Sequence, residues 1–327
     1  MEITFSIILP VRNGGAFVKE CIQSILKQTY TNFNLVILDN NSTDGTTEYI
    51  QSLRDSRILH DRSHRDLSMP DNWRRSLFLP LNKYITFIGH DDILYANYLT
   101  EMHRLISRFP DASIYQTHFN FIDRAGTVIR SCKPIPEKVT AADYLRGEFL
   151  QTMDSMGTGF LFKAADFKKL GGYDYEIPNL IFSDYKLYTQ LSGLAYQAVS
   201  SATCFAYRVH NSLSVSTDID QYRKAFEMYM EFLRGYQKEN PSIQKVIEED
   251  APAFLQFYCR SLSHRLVKSK TDVRIKVNEF VNDCRKYAEW LGIAEKFSPY
   301  YNDPSILVAS LIDSNKVTRG IYRCLRN

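Results

Sequence analysis

Long apolar runs are missing from this chain. Nothing approaches the ~18 uninterrupted apolar residues that a membrane-spanning helix needs, so no span is expected. Cysteine is sparse, and its spacing forms no CxxC pair: Cys21, Cys132, Cys204, Cys259, Cys284 and Cys324 are scattered. A chain of 327 residues has no need of disulfide staples, so reduced, mostly buried thiols in a cytosolic protein are expected. The N-terminus carries Glu2 and lacks a basic-then-apolar leader, which speaks against secretion. A large charge excess is also absent. The net charge of +3 gives no general argument for a nucleic-acid partner. Neither GxGxxG nor GxxxxGK[ST] occurs, so neither glycine-rich phosphate-binding fingerprint is present.

What is there reads as an ordinary globular composition, 44% apolar and 24% charged. The length suits one large α/β domain and a smaller appendage. Phe5 to Pro10 and Phe33 to Leu38 are short apolar runs that predict strands buried on both faces, the first halted by Pro10. Each is followed by a polar turn and a helical pattern: Val18, Cys21, Ile22, Ile25 and Leu26 after the first, Tyr49, Ile50 and Leu53 after the second. Strand, helix, strand, helix within some fifty residues implies a parallel sheet with right-handed crossovers.

The stretch YITFIGHDDIL, Tyr84 to Leu94, is the focus of the chain. A buried strand ends abruptly at Gly89, and His90, Asp91 and Asp92 follow at its carboxyl end, where ligands sit in open α/β sheets. Two adjacent carboxylates are costly to ionise together without a cation or a hydrogen-bond cage. A hard divalent cation would supply that charge and would hold a diphosphate in turn. The competing reading is a turn in which Asp92 caps the helix carrying Tyr98, Leu99, Met102, Leu105 and Ile106.

Taken in order, the blocks resemble the family 2 glycosyltransferases. The opening SIILPVRNGGAFVKECIQSILKQTYTNFNLVILDNNSTDGT is similar to that family's N-terminal signature. Asn72-Trp73, His90-Asp91-Asp92, the GTGF run from Gly157 with Gly171-Gly172-Tyr173-Asp174, Ser183-Asp184, and Tyr207-Arg208-Val209-His210-Asn211-Ser212-Leu213-Ser214 resemble its later blocks, covering residues 3–215. The resemblance implies an inverting, nucleotide-sugar-dependent enzyme. Its fold would be GT-A: a Rossmann-like, mostly parallel sheet flanked by helices. The catalytic domain would span 1–216, with a nucleotide-sugar half over 1–110 and an acceptor half over 111–216.

The same resemblance assigns Pro10, Val11, Arg12, Asn13 and Asp39 to the nucleotide, with Arg65, Asn72, His90 and Asp91 beside them. Asp91 would bind Mn2+ or Mg2+. Gly89 stands where the family's DxD has its first Asp, and His210 is the candidate to compensate as a second metal ligand. Asp184 is expected to be the general base. One of its oxygens would cap a helix while the other faces the acceptor. Asp154, Met156, Gly157, Thr158, Gly159 and Ser183 are expected to line the sugar and acceptor pocket, the glycines permitting close backbone approach. The donor would be a UDP-sugar and the acceptor a glycan or a lipid-linked hydroxyl, in bacterial surface polysaccharide synthesis.

Beyond 216 helical spacing continues, with Pro252 expected to open one helix, and 217–327 reads as a helical appendage or a homodimer contact. The tail from Lys316 is basic with interleaved apolar residues and no acid. It is a candidate for contact with an anionic membrane surface at the inner face of the plasma membrane. Two other readings remain open. The missing Asp of DxD leaves room for a non-catalytic sugar-nucleotide binder or scaffold. A nucleotidyltransferase would share the early α/β half, but the turn at Val11–Gly15 lacks its basic, glycine-rich loop.

Overall fold

The apolar runs become the centre of one sheet because each strand is buried on both faces, which favours continuous β-branched and aromatic sequence. The structure, a computed structural model, describes residues 3–209, 218–268 and 275–324. In chain order the strands are β1 (Phe5–Val11), β2 (Phe33–Asp39), β3 (Ile58–Arg62), β4 (Tyr84–Phe87), β5 (Ile93–Leu94), β6 (Ile114–Ile122), β7 (Val128–Ser131), β8 (Lys138–Val139), β9 (Leu161–Lys163) and β10 (Gln197–Arg208). Their order is β3-β2-β1-β4-β9-β6-β10-β5, with β7 on β6 and β8 on β10. Pairing is parallel for β3-β2-β1-β4 and for β6-β10, while β9 runs antiparallel to both β4 and β6. The carboxyl ends of β1, β2, β3, β4, β6 and β10 therefore lie on one edge.

The flanking helices are α1 (Gly15–Leu26), α2 (Thr46–Ser52), α3 (Met69–Arg74), α4 (Tyr98–Arg108), α5 (Ala141–Phe149), α6 (Ala164–Lys169) and α7 (Ser183–Leu194). Two buried clusters cover the two sheet faces. One holds Ile7, Leu9, Ile22, Leu35, Leu99, Met102 and Phe205, and the other Ile8, Val36, Phe87, Phe162, Phe167, Leu187 and Tyr188. Alternate residues of β1 point to opposite clusters, as strand periodicity requires.

Pro10 does not halt β1, as the sequence pattern led one to expect; the strand runs on to Val11, paired with β2. In a parallel ladder each residue bonds to one neighbour only. Ile8 faces β4, because its carbonyl accepts from Ile88 N at 3.0 Å, and Pro10 shares that parity. Pairing with β4 ends at Ile8–Phe87, so the missing N–H of Pro10 faces no strand. Nor does Asp92 cap α4: the cap position is Asn97, and β5 intervenes.

The chain folds as two compact units, Met1–Tyr144 with Met153–Val215, and Leu145–Thr152 with Ser216–Asn327. The second unit is helical: α8 (Ile219–Tyr236), α9 (Pro241–Lys268), α10 (Val277–Trp290), α11 (Pro299–Asn302), α12 (Pro304–Asp313) and α13 (Lys316–Cys324). Arg146, on the end of α5, pairs with Asp250 at 3.0 Å and Glu249 at 3.1 Å, while Phe149 packs on Phe254. Pro252 opens no helix; it lies inside α9, which begins at Pro241. Proline removes the N–H that would bond the carbonyl four residues back. That carbonyl, Glu248 O, accepts from Lys296 Nζ at 2.8 Å instead.

Among the described residues Cys21, Cys132, Cys204, Cys259 and Cys284 are buried and form no disulfide, and no helix is long and apolar enough to cross a membrane.

Candidate active site

Immediately after β4 the chain turns on itself, Asp92 N donating to Gly89 O at 3.1 Å. Asp92 is 2% exposed. Its carboxylate accepts Arg208 N at 2.9 Å and the Thr158 hydroxyl. Burial, and then the charge of Asp91, push its carboxyl well above the usual range. A Cβ on Gly89 would stand 2.6 Å from Asp92 Oδ2 and 2.9 Å from Asp91 Oδ1. The two carboxylates thus close over the glycine, and the place of the absent first Asp is filled by the acids that follow it. Asp91 is partly exposed, as is His90. Among the described residues no group of three or more His, Cys, Asp and Glu side chains forms a ready-made metal cage. The donor set fits a cation held by one or two carboxylates with substrate phosphates completing its shell, as Mg2+ and similar ions are commonly bound.

Arg208, at the end of β10, holds this turn. Its Nε donates to Asp91 O at 2.8 Å, Nη1 to Asp123 O at 3.1 Å and Arg124 O at 3.0 Å, and Nη2 to Glu20 Oε2 at 2.7 Å. The guanidinium also lies over the Phe17 ring, 4.8 Å from its centre. One side chain therefore joins the loops after β4 and β6 to α1. The sequence pattern places Arg208 within a block but assigns it no role.

Asp184 opens α7. One carboxylate oxygen accepts Tyr185 N at 3.0 Å, and the other lies 3.7 Å from where a Cβ on Gly157 would stand. Burial pushes its carboxyl up to about 6, against the opposing backbone hydrogen bonds. The chain enters α7 through left-handed backbone at Asn179, Leu180 and Phe182, with φ of 50°, 55° and 70°. Bulky residues adopt that region at a cost of order 1–2 kcal/mol each, so packing holds the approach to Asp184 under strain.

The segment Gly157–Gly159 spans from Asp184 to the turn after β4. Gly157 faces Asp184, and the Thr158 hydroxyl accepts Gly89 N at 3.2 Å and bonds Asp92. Gly159 N donates to Phe87 O at 3.2 Å, and a Cβ there would meet the Phe205 ring at 2.5–2.7 Å with φ at +77°. Tyr207 registers the convergence: burial first, then the charges of Asp92, Asp91 and Asp184, push its phenol up to about 12.

On the β1–β2 side the backbone is fixed by a mesh of side chains. Asn13 N donates to Ser42 Oγ at 2.9 Å, and Thr43 N to Asn13 Oδ1 at 2.8 Å. Arg12 is exposed and paired with Asp66, which also accepts from Asn41 at 3.0 Å. Asp39, expected to face the nucleotide, is fully buried and turned into the loop. It accepts Ser42 N at 3.0 Å, Thr47 Oγ1 at 2.6 Å and His60 Nε2 at 3.3 Å. Burial alone would raise its carboxyl, but these bonds outweigh burial and hold it far below the usual range.

Three expected site residues, Asn72 for the nucleotide and Asp154 and Ser183 for the pocket, are engaged by other protein groups. Asn72 is buried, donating to Leu38 O at 3.0 Å and accepting from Arg75 at 2.7 Å, so it fixes the end of β2. Asp154 makes a two-pronged pair with Arg130 at 2.8 and 2.9 Å and accepts Lys133 N, bracing the β6–β7 hairpin. Ser183 is buried and bonded to the Asp174 backbone. Met156 packs against the first core cluster, Arg65 is exposed on the loop before α3, and Pro10 and Val11 are buried in β1. His210 lies outside the described residues.

Residues 6–171 match the model of the family described as Glycosyl transferase family 2. Glycosyltransferase GlyG of Streptococcus pneumoniae is 25% identical over 130 residues, which is 38% of this chain and 42% of that protein. The chain thus spans less than half the length of that relative. Staphylococcus aureus TarS 1–349 in complex with UDP-GlcNAc superposes with a TM-score of 0.60 at 16% identity, covering 98% of this chain and 92% of that one. Mannosyltransferase PcManGT of Pyrobaculum calidifontis, in complex with GDP-Man and Mn2+, superposes with a TM-score of 0.55 at 11% identity, covering 96% and 87%.

Proposed function

From the premise that the chain belongs to glycosyl transferase family 2, we propose that it moves a sugar from a UDP-sugar to a hydroxyl of a glycan or lipid-linked acceptor, with inversion, in building a bacterial surface polysaccharide. The observation that carries the reading is the three-residue span Gly157–Gly159, with Asp184 at one end and the Asp91–Asp92 turn at the other. A base and a diphosphate-side cation site have to lie on either side of the sugar, and the contacts of Gly157 with Asp184 and of Thr158 with the Asp91–Asp92 turn support that arrangement.

The acceptor hydroxyl attacks the anomeric carbon on the face opposite the leaving diphosphate. The new C–O bond forms as the sugar–phosphate C–O bond breaks, and the hydroxyl proton passes to the Asp184 oxygen that does not accept Tyr185 N. A carboxyl near 6 is ionised at neutral pH yet basic enough to take that proton. Asp91, with Asp92 behind it, would hold Mn2+ or Mg2+, which supplies positive charge to the departing diphosphate. The UDP bound by TarS and the Mn2+ bound by PcManGT support uridine and a divalent metal. Arg12, Asn13 and Asp66 rim the nucleotide end, and Asp39 shapes their loop from behind.

Calorimetric titration with UDP, GDP, dTDP and CDP, each with and without Mn2+, tests the reading. Selective UDP binding strengthened by Mn2+ is the expected result. Binding to none of the four would reduce the family membership to a shared fold without donor chemistry.

A further inference from the structure

α12 is an anomaly among the helices. Its sequence PSILVASLID carries no charge before Asp313. Ile306, Ala309, Ser310 and Asp313 are buried on one side. The opposite side presents Leu307, Val308 and Leu311 to solvent, the last 61% exposed, with Tyr301 and Val317 exposed on the neighbouring helices. A helix that is apolar all round is normally covered on all sides. Here one long side is open.

Beside this ridge lies a cleft of about 410 Å³ on α9, lined among the described residues by Phe257, Arg260, Ser261, His264, Arg265 and Lys268. Four of the six are basic side chains and none is acidic. His264 bonds Ser305 at 3.0 Å and Arg260 faces Asp303 at 3.8 Å, so the cleft adjoins the first turn of α12. Among the described residues, the two acids at the ends of α12 are already engaged. Asp303 caps α12, and Asp313 is buried, accepts Val277 N at 2.8 Å and pairs with Arg319 at 3.1 Å.

We propose that this face of the helical unit docks on an anionic lipid bilayer: the ridge Leu307–Val308–Leu311 enters the interface and the α9 cleft receives phosphate headgroups. Apolar side chains flanked by cations are the composition that lies in the headgroup boundary. A second copy is the poorer occupant, since a two-fold contact on the ridge would bring the two basic clefts together. The proposal rests on this surface alone and stands apart from the transfer reading.

Flotation of the full chain with vesicles tests it. The protein is expected to float with phosphatidylcholine vesicles containing phosphatidylglycerol and not with phosphatidylcholine alone, and to come off as salt rises. Lys268→Gln and Arg260→Gln each weaken partition by about fivefold, the weight of one surface cation near an anionic leaflet. Leu307→Asp with Leu311→Asp abolishes flotation, while the UDP titration stays unchanged, because both side chains are exposed on the helical unit. Absence of flotation with anionic vesicles overturns the proposal, and so does flotation that the ridge pair leaves intact. A concentration-dependent dimer dissolved by the ridge pair, without vesicle binding, overturns it in favour of self-association.

Discussion

Replacing Arg208 by lysine keeps the charge and removes the fork, and its effect can be worked from the hydrogen bonds. The guanidinium makes four side-chain bonds, to Asp91 O, Asp123 O, Arg124 O and Glu20 Oε2. A lysine ammonium offers its donors from a single point and cannot span carbonyls on two loops together with a carboxylate on a helix. At least one or two acceptors then lose their partner, each costing about 1–3 kcal/mol where buried. Glu20 is half exposed and adds little. The expected loss is about 2–4 kcal/mol, which for a unit of this size corresponds to a melting temperature lower by about 5–10 °C. The turn carrying Asp91 also loosens, so UDP affinity in Mn2+ should fall more than UDP affinity in chelator. Differential scanning fluorimetry and calorimetry read the two effects. A melting point within a degree or two of the parent, or an equal fall in both affinities, would refute the view that Arg208 positions the metal-side turn.

Other outcomes follow from the same geometry. Asp184→Asn should abolish transfer with UDP binding retained, and the parent's rate should fall as pH drops through about 6. Because the folded-state carboxyl is raised, its protonated form favours folding. That contribution is full below the ordinary carboxylate range and lost as pH rises through about 6. Asp184→Asn should therefore raise the melting temperature at pH 8 and not at pH 4; equal shifts at both would contradict the buried-carboxyl account. Gly89→Asp completes DxD on paper, yet Mn2+-dependent UDP binding should weaken, because a Cβ there displaces Asp91 and Asp92. Tighter binding would show that the turn yields freely. Gly159→Ala should destabilise strongly through its contact with Phe205 and its positive φ, and soluble expression at parental melting temperature would be inconsistent with that contact.

The sheet was legible in sequence because β1, β2 and β4 are buried on both faces and leave continuous apolar runs that only burial explains. That Asp91 follows a buried strand and that Asp184 lies at the start of a helix was legible from the apolar patterns around them. Side-chain direction was not. Asn72, Asp154 and Ser183 sit beside motif residues in sequence, yet they are engaged by Leu38, Arg130 and the Asp174 backbone. Asp39 is a similar case: a strand-end acid is equally suited to a ligand and to a loop dense in hydroxyls, and Thr47 with His60 takes it for the loop. Arg208 is silent in sequence because its acceptors lie more than eighty residues away. Pro252 misleads because the lysine that replaces its lost hydrogen bond is at 296.

Pro10 bears on how the sheet opens. Counting outward from β1, the chain goes first to β2 and β3 on one side and then to β4 on the other, so β1 and β4 flank the point where the winding reverses direction. The seam between them closes at Ile8–Phe87, while the seam between β1 and β2 stays closed to Val11–Asp39. The sheet therefore parts like a half-fastened zip, and Pro10 stands where the next tooth would be. Any other residue would offer an amide hydrogen there, either recruiting more strand and shutting the gap or spending itself on water. Proline leaves this edge of the sheet open and chemically silent at that spot, so any amide hydrogen offered there comes from the residues on either side.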